Sequence, residues 1–247
     1  ESRFWLLLVV VAGAAAYLPW LGSYGPIDPT DSFFLESGRE MVETGKFLLP
    51  LNNYEPWLDK PILYFWLVCG AYKLFGVSPF IGRLPAALSA VALGAVIFHA
   101  SNGILRARTA ALAAIVFLCL PLSAIVGHVC LTDMTLTLLV SGTILYLYRG
   151  LKEGSSKFIA LGYIFNALGM LCKGPIAAII PAAVLLGYLW LSRRSPAAIW
   201  SAIGKLNPGL GLLIALAVNV PWYAAAMSAT SGKFFEAFFL QQNFGRM

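Results

Sequence analysis

Apolar residues run along this chain in long blocks, not in short alternating patches. The runs at 4–21, 82–102, 109–127, 132–149, 158–173, 175–192 and 209–227 approach the roughly 20 residues a helix needs to cross the hydrocarbon core of a bilayer. In lipid only helices and closed barrels satisfy the backbone, and barrel strands would alternate, so these blocks predict helices. The expected fold is an all-α polytopic membrane protein with about seven transmembrane helices.

One polar stretch interrupts the pattern. Residues 28–61, DPTDSFFLESGREMVETGKFLLPLNNYEPWLDKP, hold Asp28, Asp31, Glu36, Glu40, Glu43, Glu55 and Asp59, seven of the eleven acids in the chain. Within it, Thr30 to Thr44 has helical spacing: Phe34, Met41 and Gly45 fall on one side with Leu35 and Val42 adjacent, and Glu36, Glu40 and Glu43 share another. This predicts an interfacial helix with one face on lipid and one in water. The following PILYFWLVCGAYKLFG, 61–76, is apolar, but about 15 helical residues cover only about 22 Å. It reads as a helix in or dipping into the outer interface, started by Pro61 and closed by Gly76. Ser78 and Pro79 form a second cap and first-turn pair.

Charge fixes the orientation. Arg106 and Arg108, then Arg149, Lys152 and Lys157, then Arg193, Arg194 and Lys205 occupy alternate short loops, which places those loops and the N-terminus with Arg3 inside. The chain then divides into a first span at 4–21, an outer loop with interfacial helices at 22–81, six further spans over 82–227 and an outer loop at 228–247. Together they are expected to form a single transmembrane catalytic module, 1–247. The sequence starts at Glu1 without Met and stops in a polar-aromatic segment, so a fragment of a longer chain is expected.

Composition agrees: 60% of residues are hydrophobic and 11% charged, against about a quarter charged in soluble domains. The net charge of +6 belongs to the inner loops and, with no clustered basic and aromatic face, excludes a nucleic-acid partner. Cys69, Cys119, Cys130 and Cys172 stand singly in apolar surroundings and read as free, buried thiols.

With sidedness set, Asp31, Lys60, Arg83, His128, Asp133 and Lys173 gather on the outer face. Charges at the edge of a membrane bundle are costly unless paired or functional, so their convergence marks a candidate site. Ordinary roles compete. Asp28 before Pro29, with Asp31 three residues on, is also a helix start. Asp59 and Lys60 would also make a surface ion pair, and Arg83 and Lys173 would also snorkel to head groups. His128 as ligand to a divalent cation rests on one imidazole and scattered acids, so no metal site is assigned. Trp57, Tyr64, Trp66, Trp222 and Tyr223 suit an aromatic belt, or sugar stacking.

The order of motifs REM (39–41), DKPILYFW (59–66), FGVSPFIGRLP (75–85), TDM (132–134), KGP (173–175), PWY (221–223) and the FF…QN..R ending at Arg246 resembles the bacterial ArnT-like branch of the GT-C glycosyltransferases, related to protein O-mannosyltransferases. The resemblance covers nearly the whole chain and looks like the N-terminal, membrane-embedded half of a family member. It implies a GT-C-type helical bundle with juxtamembrane helices in the first outer loop. It also implies transfer of a sugar from a polyprenyl-phosphate donor to a glycan, lipid or protein acceptor, on the outer face of a bacterial inner (plasma) membrane.

Counting back from Lys60, the family's usual Asp-Glu pair falls on Thr30 and Asp31, leaving the key acid open between Asp31 and Asp28. The family's acid-Lys-Pro matches Asp59, Lys60 and Pro61, its RLP arginine Arg83, its TDM acid Asp133 and its KG lysine Lys173. Gln242 stands where a His is common in the family, which weakens a metal completed from that loop. The expected site therefore has Asp31, Asp133 and Asp28 as catalytic acids and Lys60, Arg83 and Lys173 on the donor phosphate, with Asp59, Arg39, Tyr64 and Trp57 positioning substrate. A lipid-linked substrate transporter or flippase, or a non-catalytic lipid-binding subunit, is the alternative; a transporter would want charges deep in mid-span and repeated halves, and neither is visible.

Overall fold

The computed structural model describes residues 1–27, 29–192 and 195–242, and Asp28, Arg193, Arg194 and Arg246 lie outside them. Eleven α-helices and a two-stranded hairpin are formed among the described residues: α1 (Ser2–Tyr17), α2 (Thr30–Thr44), β1 (Leu51–Asn52), β2 (Glu55–Pro56), α3 (Leu63–Phe75), α4 (Pro79–Ser101), α5 (Ala107–Leu118), α6 (Pro121–Gly127), α7 (Thr132–Glu153), α8 (Ser156–Lys173), α9 (Ile176–Ser192), α10 (Pro196–Lys205) and α11 (Pro208–Ala229), followed by a π-helical stretch, Phe235–Gln242. Among those residues α4, α7 and α11 are long and apolar enough to cross a membrane, and α5 with α6 adds a fourth crossing if the bent pair is one span. This is a multi-pass membrane protein of the all-α class, the short hairpin apart.

The apolar block expected as one span at 109–127 is broken, with α5 and α6 inclined at 65°. Pro121 explains the break: it lacks an N–H, and its ring would collide with the carbonyl four residues back, so it starts a new helix instead. Cys119 sits at that corner and is exposed, unlike the buried Cys69, Cys130 and Cys172, which corrects the expectation of four buried thiols.

Tight packing between spans comes from small residues. In α1, α4 and α5, Gly13, Ala86, Ala87, Ala90, Ala110, Ala111 and Ala114 are buried against one another and Leu118, so the backbones approach closely. Between α7 and α8 the fit is reciprocal: a Cβ on Gly142 would enter the Phe165 ring, and one on Gly162 would meet Leu147.

The polar stretch folds onto this bundle. Helix α2 has the expected bounds, ends on Gly45 in the left-handed region (φ 68°), and lays Phe34, Leu35, Gly38 and Met41 on α3, not on lipid. Glu40 is buried, contrary to the expected water-facing acid stripe, because its carboxylate accepts the Tyr54 N–H at 2.9 Å. That bond holds the hairpin tip, where Asn53 and Tyr54 both have positive φ (53° and 63°), as a twisted two-residue turn between paired strands requires. Helix α3 begins at Leu63, two residues later than expected, and ends on Gly76; α4 starts as expected, with the Ser78 hydroxyl accepting the Ile81 N–H at 3.3 Å ahead of Pro79.

Candidate functional site

Arg83 lies one turn inside α4 with its side chain fully buried. Its Nε and Nη2 make a fork onto Asp31, at 3.2 and 2.6 Å, and Nη2 also donates to the Gly25 carbonyl at 2.8 Å. Nη1 donates to the carbonyls of Leu21 (2.6 Å) and Tyr24 (3.1 Å), so all five guanidinium donors are engaged, and the Tyr24 ring stacks 4.0 Å from the guanidinium carbon. Asp31 is equally occupied: Oδ1 also accepts the Cys130 N–H at 2.7 Å and Oδ2 the Ile27 N–H at 3.0 Å. One pair therefore ties the segment after α1, the start of α2, the start of α4 and the turn before α7. Burying two charges is tolerable only with this degree of compensation. Neither group has a hydrogen-bonding position left for a substrate.

Asp133 and Lys173 contrast with it. Asp133 stands in the first turn of α7 and Lys173 is the last residue of α8, each at the helix end its charge favours. They form an ion pair whose side chains remain 39% and 30% exposed. The chain turns sharply after Lys173 because Gly174 has φ 80° and because a Cβ there would enter the Phe238 ring.

Lys60 is half-buried, its Nζ 5.9 Å from the Trp57 ring centroid and 3.4 Å from the Asp59 carbonyl oxygen. Trp57 is half-buried against Phe33, with ring centroids 4.5 Å apart. Tyr64, expected at the interface, is fully buried; its hydroxyl meets Cys130 Sγ at 3.5 Å and its ring packs edge-on against Phe34, leaving no surface for a sugar. Arg39 is held on the outside of α2 by Glu36, Glu43 and the Tyr54 hydroxyl. Its hydrogen bond to Glu36 lowers that carboxyl's pKa, overcoming partial burial.

The three accessible groups share one support. Ile62, Tyr64, Cys130 and Cys172 belong to a single buried cluster, and Lys60, Asp133 and Lys173 each leave the chain within three residues of one of them. Beside this cluster runs a groove of about 570 Å³ between α3, α4, α7 and α8, lined by Leu63, Leu67, Leu88, Leu138 and other apolar side chains. Its polar lining residues, Ser89 and Thr135, satisfy each other at 2.8 Å. Lys60 stands three residues before the lining Leu63, Asp133 two before the lining Thr135 and Lys173 five after the lining Leu168, so the charged groups leave the chain near an apolar slot.

His128 is not free for a metal on both nitrogens: Nδ1 lies 2.7 Å from the Ala124 carbonyl, and the ring stacks on Tyr17. Among the described residues no three His, Cys, Asp or Glu side chains come together. Trp222 is buried and donates to the Leu48 carbonyl at 2.8 Å, and Trp66 donates to that of Phe47 at 2.7 Å; both fasten the segment between α2 and β1. Tyr24, which stacks on Arg83 and donates to the His128 carbonyl at 2.5 Å, carried no signal in its LGSYG context.

The chain is 28% identical over 244 residues to an uncharacterized protein of Aquifex aeolicus (strain VF5), covering 98% of this chain and 47% of that one. It is 30% identical over 191 residues to the undecaprenyl phosphate-alpha-4-amino-4-deoxy-L-arabinose arabinosyl transferase 1 of Proteus mirabilis (strain HI4320), covering 75% of this chain and 35% of that one. The crystal structure of ArnT from Cupriavidus metallidurans bound to undecaprenyl phosphate superposes with a TM-score of 0.88 at 23% identity, over 99% of this chain and 45% of that one. The chain thus spans about half, or less, of the length of these relatives. Residues 59–224, from the DKP lysine's own neighbour to the PWY tyrosine's, match the sequence pattern of one family, and the chain belongs to it: the dolichyl-phosphate-mannose-protein mannosyltransferase family.

Proposed function

We propose that this chain is the membrane-embedded part of a glycosyltransferase that moves a sugar from a polyprenyl-phosphate donor to a lipid, glycan or protein acceptor at the outer face of a bacterial inner membrane. The observation that carries this reading is the partly exposed Asp133–Lys173 pair, with Asp133 two residues from Thr135 and Lys60 three from Leu63 in the lining of an apolar groove of about 570 Å³. In this reading 1–247 is one catalytic module crossing the membrane seven times, through α1, α4, the bent α5–α6 pair, α7, α8, α9 and α11. The basic loops lie inside and α2, α3 and the hairpin lie outside.

The donor's prenyl chain lies in the groove and its phosphate is bound by Lys60 and Lys173. As the bond between sugar C1 and the phosphate oxygen breaks, charge grows on that oxygen, and the lysines stabilise it where water is excluded. Phosphate binding draws Lys173 away from Asp133, so the base is released when donor is present. Asp133 then takes the acceptor hydroxyl's proton while the acceptor oxygen bonds to C1; an acceptor that is already an anionic phosphate needs no base. Asp31 and Arg83 act by holding the frame, since their hydrogen bonds are already committed to one another. Asp59 and Trp57 flank Lys60 and position substrate beside it.

The test is transfer of radiolabelled sugar from a polyprenyl-phosphate donor by membranes carrying the protein. Asp133→Asn should lower turnover by 100-fold or more with little change in donor KM, as expected for a general base. Lys60→Gln and Lys173→Gln should raise donor KM. Undiminished transfer to a hydroxyl acceptor by Asp133→Asn would remove Asp133 as the base, and a donor KM unmoved in both lysine variants would remove the phosphate site.

A further inference from the structure

We propose that the opposite, inner-leaflet side of the bundle carries a second lipid site, for one anionic phospholipid, built by α7, α9 and α10. The side assigned to it rests on the orientation given above; the site itself does not.

Nothing in the sequence marks α10 beyond its basic flanks. It starts at Ser195, whose hydroxyl accepts the Ala198 N–H at 3.3 Å, with Pro196 at the first position. Its ten residues span about 15 Å, half the hydrocarbon core, so it cannot cross. It buries one residue, Ala202, and leaves Trp200 71% exposed; Trp190 at the end of α9 is 73% exposed. A short helix with exposed tryptophan and a lysine at its end is built to lie in the head-group layer.

Beside it is a cavity of about 310 Å³, apart from the donor groove, lined by Leu147 of α7, Tyr163 of α8, and Pro181, Leu185 and Leu189 of α9. Ile203 and Leu206 close it at the α10 end, and the Tyr163 hydroxyl fixes that closure by donating to the Leu206 carbonyl at 2.9 Å. The volume is at the lower end for ligand pockets, and the lining suits a hydrocarbon chain.

Residues next to the lining supply the sign of the head group. Lys205 is the residue before Leu206, and Lys152 lies on the last turn of α7, 5.6 Å from the Tyr148 ring, which stacks edge-on against Tyr188 next to Leu189. The acid next to Lys152 in the chain, Glu153, is held by Arg149 at 2.7 Å. An acyl chain in the cavity would bring its phosphodiester toward Lys152 and Lys205, and among the described residues the acid beside them is already paired.

The experiment needs no sugar donor. The protein is reconstituted in nanodiscs of phosphatidylcholine with a minor share of phosphatidylglycerol, released into mild detergent, and its retained lipids are counted by native mass spectrometry. Wild type should retain phosphatidylglycerol preferentially. Each of Lys152→Gln and Lys205→Gln should lower that preference about fivefold, which corresponds to ~1 kcal/mol per lysine. Leu185→Trp, which fills the cavity with both lysines intact, should abolish retention. Brominated phosphatidylglycerol should quench wild type more than Trp200→Phe. Equal retention of the two lipids, or a preference unmoved by the lysine variants, overturns the proposal. A reporter showing the Lys152 loop outside would overturn the leaflet and the orientation while leaving the retention result standing.

Discussion

Replacing Arg83 by leucine should destabilise this protein more than any single change at the accessible site. The variant leaves the Asp31 carboxylate buried with its partner gone, and deprives the carbonyls of Leu21, Tyr24 and Gly25 of their donors. Breaking a buried pair from one side costs about 3–5 kcal/mol. For a chain of this size that corresponds to a fall in Tm of about 6–20 °C. Asp31→Asn should cost somewhat less, because the carbonyls keep the guanidinium, although an amide NH₂ would then face donors. Removing both side chains should cost clearly less than the sum of the single changes, since neither leaves the other's charge stranded. Thermal unfolding in detergent, followed by loss of the monodisperse peak on size exclusion, measures all three. At a temperature where Arg83→Lys is folded, donor KM should be near wild type. Single variants within about 2 °C of wild type, costs that add, or a folded Arg83→Lys protein with a greatly raised KM would refute the reasoning and return Arg83 to the phosphate.

Other consequences are as direct. Gly174→Ala should lower Tm and turnover together, because φ 80° disfavours a side chain and the new methyl meets Phe238; we expect a cost of about 1–3 kcal/mol, and wild-type behaviour would mean Lys173 is not aimed by that turn. Glu40→Ala should loosen the hairpin by about 1–3 kcal/mol by orphaning the Tyr54 N–H, while Glu40→Gln, which keeps an acceptor, should cost less; protease cleavage at the hairpin tip reads this out. Glu36 has a lowered pKa in the folded state. Its contact with Arg39 should therefore contribute stability fully above the unfolded carboxyl's value near 4.3 and lose it as pH falls through the folded one. Arg39→Gln should flatten the acid limb of a stability profile slightly, the group being half exposed.

Local chemistry was readable from the sequence wherever it was also sufficient. Helix α2 occupies Thr30–Thr44 because its apolar spacing and Gly45 both act within the helix, and Ser78 caps α4 for the same reason. The reading of 158–173 and 175–192 nearly coincides with α8 and α9 because Gly174 and Pro175 punctuate them. Partner choice was not readable. Nothing in RLP says that the arginine turns inward to carbonyls 58–62 residues earlier, nor in REM that the glutamate meets a backbone N–H 14 residues later. Tyr64 looked interfacial for the same reason: its burial depends on Phe34 and Cys130, brought in from two other elements. Solitary charge in apolar sequence flagged Arg83 and Asp133 alike, and only the fold separates a sealed pair from an accessible one.

The slot between α3 and α4 is open along its flank, where Leu67, Leu74, Phe75 and Leu88 remain exposed. A long isoprenoid entering there would never leave the oil, so its encounter rate would follow its density in the leaflet and not its solubility. Only the first few isoprene units would be gripped, with the remainder trailing among neighbouring lipids. Carriers of quite different overall length should therefore serve about equally well once those first units are present.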